Sequence, residues 1–238
     1  MTLSVRTGRL LALSAWAACL AWLQVSGQVA RYLGPRTAWV VPVGALGLTL
    51  AAVLYARETV GSPVAGRGLG RREGAGLAAV LAPALVVLCM ADATLGSLAA
   101  SNKLSSRGVD FSSLAGSLSH GGSDVDFLVI RGADEDPAVA RARDITPGRP
   151  VSLTGFVLAA PGHGAPLRLA RFYITCCIAD SVAIDVPVYL VHPDPGLRKD
   201  QWLTVSGVLA RRGRRFVLEA ATARHVRQPR KPYLLFRV

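Results

Sequence analysis

Three long apolar runs in the first hundred residues constrain this chain more than anything else in it. They cover about 10–30, 38–56 and 77–98. Each approaches the roughly 20 residues that an α-helix needs to cross the hydrocarbon core of a bilayer. Lipid offers no partner to a backbone N–H or C=O, so the helix is the state in which such runs satisfy themselves. Aromatic residues (Trp16, Trp22, Tyr32, Trp39 and Tyr55) include several near the ends of these runs, where membrane interfaces favour them. Half of the 238 residues are hydrophobic although 27 are Lys or Arg, and segregation explains the combination. Residues 1–99 hold eight basic and three acidic side chains, whereas residues 100–238 hold nineteen and twelve. The chain therefore divides into a membrane part, a Ser- and Gly-rich connector over 100–124, and a water-soluble part over 125–238 that is long enough to bury its own core.

Basic residues set the expected orientation. Arg6 and Arg9 precede the first run, and Arg57, Arg67, Arg71 and Arg72 follow the second, while the tight first loop holds only Arg31 and Arg36. The positive-inside rule places the N-terminus and the second loop in the cytoplasm, and three crossings deliver the C-terminal domain to the outer side. Trp16-Ala17-Ala18-Cys19 comes close to a lipoprotein cleavage site, and Arg6 and Arg9 before an apolar run resemble a secretory signal. The run continues too far for a cleaved segment, so an intact first helix is expected. Asp92 is the one acidic residue inside the apolar runs. Such a carboxylate is a functional candidate, but about 15 apolar residues rise about 22 Å before it, which suits the outer boundary of the third helix. Pro83 is expected to kink that helix.

The soluble part reads as short strands separated by Gly-, Pro- and charge-rich turns, the pattern of a small barrel. Strands are expected over 126–131, 150–159, 170–178, 186–191, 201–210 and 215–224, with a short helix over 136–144. VSLTGFVLA and LTVSGVLA each place a glycine amid β-branched alternation, which marks a bulge or sharp bend. The fold class that follows is a membrane α-helical part of three transmembrane helices plus an all-β, OB-like Greek-key barrel. Arg211, Arg212, Arg214 and Arg215 cluster at one turn. A solvated hairpin tip is the first reading, contact with anionic lipid headgroups or a partner the second, and nucleic acid the last, because aromatic stacking platforms are few and the domain is expected outside the cytoplasm.

The chemistry-bearing stretch is ARFYITCCIADSVAIDVPVYL, residues 170–190. Its alternation predicts a strand through the cysteine pair, with Cys176 turned into the core and Cys177 outward. Adjacent Cα atoms lie about 3.8 Å apart, below the usual disulfide window, so the two thiols are not expected to bridge each other. Cys177, with Asp180 beyond it, is a candidate thiolate or metal ligand; a pair of buried small residues is the plainer reading. His163 and His192 lie in turns on either side, and with the cysteines they would make a zinc or copper set. Four scattered cysteines exclude a disulfide framework. Neither CxxC nor HExxH spacing nor a phosphate loop occurs, so an enzyme is not expected.

These same residues resemble the YcgQ family of bacterial permease subunits, whose members carry a C-terminal domain of unknown function. The run Arg171-Phe172-Tyr173-Ile174-Thr175-Cys176-Cys177 followed by Ala179-Asp180 carries the resemblance, supported by Gly155-Phe156-Val157, the 202–207 stretch, Pro232-Tyr233 and ATLGSLAASN after the third helix. Ser181-Val182-Ala183 departs from the Ala-x-Pro usual there. The resemblance implies a partner, a separate multi-pass permease encoded nearby, and an association of some members with metal homeostasis. The expected function is an accessory membrane subunit in a bacterial cell membrane, its outer barrel capping or gating the permease. The alternative is a stand-alone extracytoplasmic metal-binding or thiol-redox protein.

Overall fold

The computed structural model describes residues 4–60, 70–89, 95–104, 125–162, 165–192 and 196–234. The chain forms two compact units, Met1–Ala93 and Thr94–Val238. Three long helices make the first: α1 (Val5–Val25), α2 (Val40–Val60) and α3 (Arg71–Cys89). All three are long and apolar enough to cross a membrane, which associates the protein with one. Ser4 caps α1 by accepting a hydrogen bond from the Thr7 amide at 3.2 Å, satisfying one of the free donors of the first turn. The helices meet around Cys19, Leu23, Val29, Val41 and Ala84, while Trp39, Leu46 and Leu85 are exposed, as side chains facing lipid would be. The Trp16 indole donates to the Val80 carbonyl at 3.0 Å, three residues before Pro83, where a proline loosens the helical ladder. Asp92 lies outside the described residues.

The second unit is a closed five-stranded barrel. Its strands are β1 (Pro150–Ala159), β2 (Leu167–Tyr173), β3 (Val182–Leu190), β4 (Trp202–Arg212) and β5 (Arg215–His225). Their order around the barrel is β1-β2-β3-β5-β4. Neighbours are antiparallel except β3 and β5, which run parallel. A meander, a parallel jump and closure of β4 on β1 make the OB-like Greek key that the strand spacing predicts. Val151, Leu153 and Val157 of β1, Leu167 and Leu169 of β2, and Leu203 and Val205 of β4 fill the interior.

Both strand glycines have a structural reason. The register of β4 against β5 slips between Ser206 and Gly207, and a Cβ on Gly207 would lie 2.0 Å from the Glu219 carbonyl oxygen. On Gly155 it would meet the Ala170 carbonyl oxygen at 2.6 Å and the Phe127 ring at 2.8 Å. One glycine therefore makes a bulge and the other admits a close approach.

One helix replaces an expected strand. Residues 126–131, expected as a strand, belong to α5 (Phe127–Glu135), capped by Asp126 accepting from the Val129 amide at 3.0 Å. Four consecutive apolar residues are as compatible with a buried helix as with a strand. Here the cap and the Arg131–Glu135 pair at i,i+4 (3.0 Å) decide for the helix. Phe127, Leu128 and Ile130 are buried among the barrel's interior residues, and Asp134 accepts from the Phe216 amide of β5 at 2.6 Å. A short α6 (Pro137–Ala142) follows, its N-terminus capped by Asp136, close to the helix expected over 136–144.

Outside the barrel, Phe156, Leu158, Ala170, Phe172 and Ile174 form a second apolar cluster with Tyr233 and Ala100. Ala100 belongs to α4 (Ser97–Leu104), which covers this face. The start of α4 is tied down by Asp200, which accepts from the Ser97 amide and, at 2.9 Å, from the Ser97 hydroxyl.

Candidate functional site

The strand expected through the cysteines stops short of them. β2 ends at Tyr173, and residues 174–181 form the loop to β3, with a single 3-10 turn over Ile178–Asp180. The cause is Asp180. Its carboxylate accepts from the amides of Cys176 (2.7 Å), Thr175 (3.3 Å) and Cys177 (3.3 Å). A short acidic side chain thus takes the donors that a continuing strand would give to its neighbour. The strand phase is lost with the strand: Cys176 is exposed and Cys177 half-buried, the reverse of the alternation reading.

The loop is held from outside by the tail. Leu234 donates its amide to the Phe172 carbonyl at 2.7 Å and lies beside Tyr173 as a parallel bridge. Arg171 reaches the carbonyls of Pro232 (2.9 Å) and Lys231 (2.6 Å). The Tyr233 ring packs edge-on against Phe172, which stacks on Phe156. The sequence reading left Arg171, Leu234 and the amide donors of Thr175 and Ala179 without a role here. Arg171, Thr175, Ala179 and the Pro-Tyr of the tail gave a signal only as part of the family resemblance, and Leu234 gave none.

What results is an unequal pair of thiols. The sulfurs lie 3.6 Å apart, in hydrogen-bond contact and both free of disulfides. Hydrogen bonding to Asp180 and then to Cys177 pushes the Cys176 thiol up to about 11, because removing its proton would set a negative sulfur beside a carboxylate. The Ala179 amide, and then the Cys176 thiol, lower Cys177, whose charge they stabilise. Burial works to raise Asp180, but the amides of Cys176, Thr175 and Cys177 and the Cys176 thiol outweigh it and hold the carboxyl below its ordinary value. That contribution to loop stability is fully present above the ordinary carboxylate range. It is lost as pH falls through the lowered value.

Alkylation should therefore discriminate between the two cysteines. Iodoacetamide at pH 7.5 is expected to modify Cys177 on the order of tenfold faster than Cys176, since the thiolate is the nucleophile. Peptide-resolved mass spectrometry of timed samples reads the ratio. Equal rates would show that the Ala179 amide and the Cys176 thiol do not act on Cys177 Sγ.

Cys176, Cys177 and Asp180 also make a metal-capable group, each offering one ligand atom, with all three within 4.8 Å of one another. Two thiolates and a carboxylate suit a thiophilic divalent ion. His192 is exposed at the end of β3, beside Leu190 and residues 220–224 of β5, and does not join this group. His163 lies outside the described residues.

The arginines expected at a hairpin tip are there, around Gly213 between β4 and β5. Arg211 lies 5.1 Å over the Phe216 ring, and Arg212 stacks 3.7 Å from Tyr189 while pairing with Glu219 at 3.1 Å. Arg215 faces Asp185 at 3.7 Å and Asp134 at 3.9 Å. Three of the four thus engage rings or acids of their own domain, while Arg214 is exposed.

No curated protein and no solved structure matches the chain. A DUF1980 C-terminal domain is found over residues 142–236, the stretch that holds all five strands, the cysteine loop and the tail that braces it, and this is consistent with a YcgQ-like family.

Proposed function

We propose that this protein is a non-catalytic accessory subunit of a bacterial membrane permease, with three helices as its anchor and an outer barrel that presents a thiol site to the permease's ligand. The observation that carries the reading is the loop over 174–181: an exposed thiol, a half-buried one and an exposed carboxylate held by backbone amides, on a barrel whose chain also bears three membrane-length helices. A packing role would bury the pair. Here Cys176 is exposed, which supports a ligand. Three helices with so few charges make a poor selective pathway by themselves, which supports a multi-pass partner. The resemblance to YcgQ-like chains points the same way, and the DUF1980 domain is consistent with that resemblance.

The test is capture of the tagged full-length chain from detergent-solubilised membranes, with the side of Val238 read by reporter fusion. Co-recovery of a multi-pass permease and an outer C-terminus are expected. A chain recovered alone, or a C-terminus in the cytosol, overturns the proposal. The same loop favours one other reading, a stand-alone protein that binds zinc or copper or cycles its thiols. Recovery without a permease, together with bound metal, would select it.

A further inference from the structure

The geometry of the loop narrows what its ligand can be. Two sulfur bonds of about 2.3 Å to a tetrahedral ion set the sulfurs about 3.8 Å apart, whereas a linear unit with the same bonds needs about 4.6 Å. The observed separation is 3.6 Å, the bite of a tetrahedral ion. The third donor is an oxygen, which a zinc-like ion accepts and a purely sulfur-seeking monovalent ion does not favour. Asp180 has room for it. The amides of Thr175, Cys176 and Cys177 occupy three of its acceptor positions, and its remaining contact is with the Cys176 thiol. An ion taking the place of that thiol hydrogen touches sulfur and carboxylate together.

The group has three members among the described residues. Among the described residues no further His, Cys, Asp or Glu joins it, and Cys176 and Asp180 are exposed. Structural zinc sites close their shell with four protein ligands, while sites that exchange a ligand keep one position open.

We propose that the 174–181 loop is an exchange site for a thiophilic divalent cation of the zinc type, held as cargo by Cys176 Sγ, Cys177 Sγ and the Asp180 carboxylate, with a fourth position open to an incoming donor or acceptor ligand. The inference rests on the reading of this loop as the ligand-presenting site and names the ligand's class.

Full-length protein in detergent, reduced and stripped of metal, is titrated with Co²⁺ and then Zn²⁺. One Co²⁺ per chain is expected, with thiolate-to-cobalt charge-transfer absorption and the strong visible bands of a tetrahedral ion, both erased by one equivalent of Zn²⁺. C176S and C177S are each expected to weaken Zn²⁺ binding at least tenfold against a chromophoric chelator. D180N should weaken it on the order of tenfold while keeping the thiolate band. Absence of the thiolate band, uptake of Cu⁺ with indifference to Zn²⁺, or a Zn²⁺ affinity unmoved by C176S and C177S overturns the proposal. Recovery of a permease is scored on the same preparation, so failure of the metal site and failure of the accessory role are read separately.

Discussion

Gly207→Val is expected to force β4 and β5 apart and to destabilise the closed barrel severely. At this position β4 slips by one residue against β5, and the two strands approach so closely that a Cβ would sit 2.0 Å from the Glu219 carbonyl oxygen and 2.7 Å from the Ala220 Cα. Both obstacles are backbone, so no side-chain rotation relieves them. The strands must separate, and with them the ladder that carries most of β5. A cost on the order of 4 kcal/mol or more follows, or about 15 °C of melting temperature for a unit of this size. Loss of the β signal on heating the full chain in detergent measures it. Ser206→Ala, one residue away, removes a single exposed hydroxyl contact with Ser152 at 2.9 Å and should cost about 1 kcal/mol or less. If Gly207→Val melted within a few degrees of the unaltered chain, the bulge would not be where the strand pairing puts it.

Phe127→Ala should be nearly as damaging. Phe127 is 1% exposed and packs among the barrel's interior residues, its ring lying where a side chain on Gly155 would otherwise project. Truncating a buried phenylalanine costs about 3–5 kcal/mol, the spread depending on how far the cavity collapses. Thermal unfolding in detergent reads this too. A cost below about 1 kcal/mol would mean that α5 is not part of the barrel's core. The prediction separates two arrangements of the same six residues: an edge strand would leave the ring half-exposed and its loss cheap, whereas the helix puts it at the centre.

The sequence alone determined the elements whose signal is local and repeated. Three runs of membrane length became α1, α2 and α3. The period-two stretches at 150–159, 201–210 and 215–224 became β1, β4 and β5 with ends shifted by no more than two residues; the glycine within LTVSGVLA marks a bulge as expected, whereas that within VSLTGFVLA sits at a close approach of strands and not at a bulge. The candidate site was legible as a list of residues, Cys176, Cys177 and Asp180, but not as an arrangement. Alternation extended the strand through the cysteines because it registers only the polarity of successive side chains. It carries no term for a carboxylate four residues on that removes three amides from the ladder and turns the chain aside. The FLVI run of α5 was ambiguous for a related reason: a segment buried on every side has no period to read. What only the tertiary structure decided is which backbone donors Asp180 takes, which thiol faces water, and that a tail sixty residues downstream braces the loop. The tail contact depends on groups distant in sequence meeting in space, and the amides that Asp180 takes, although close to it in sequence, depend on a turn that the polarity of successive side chains does not encode.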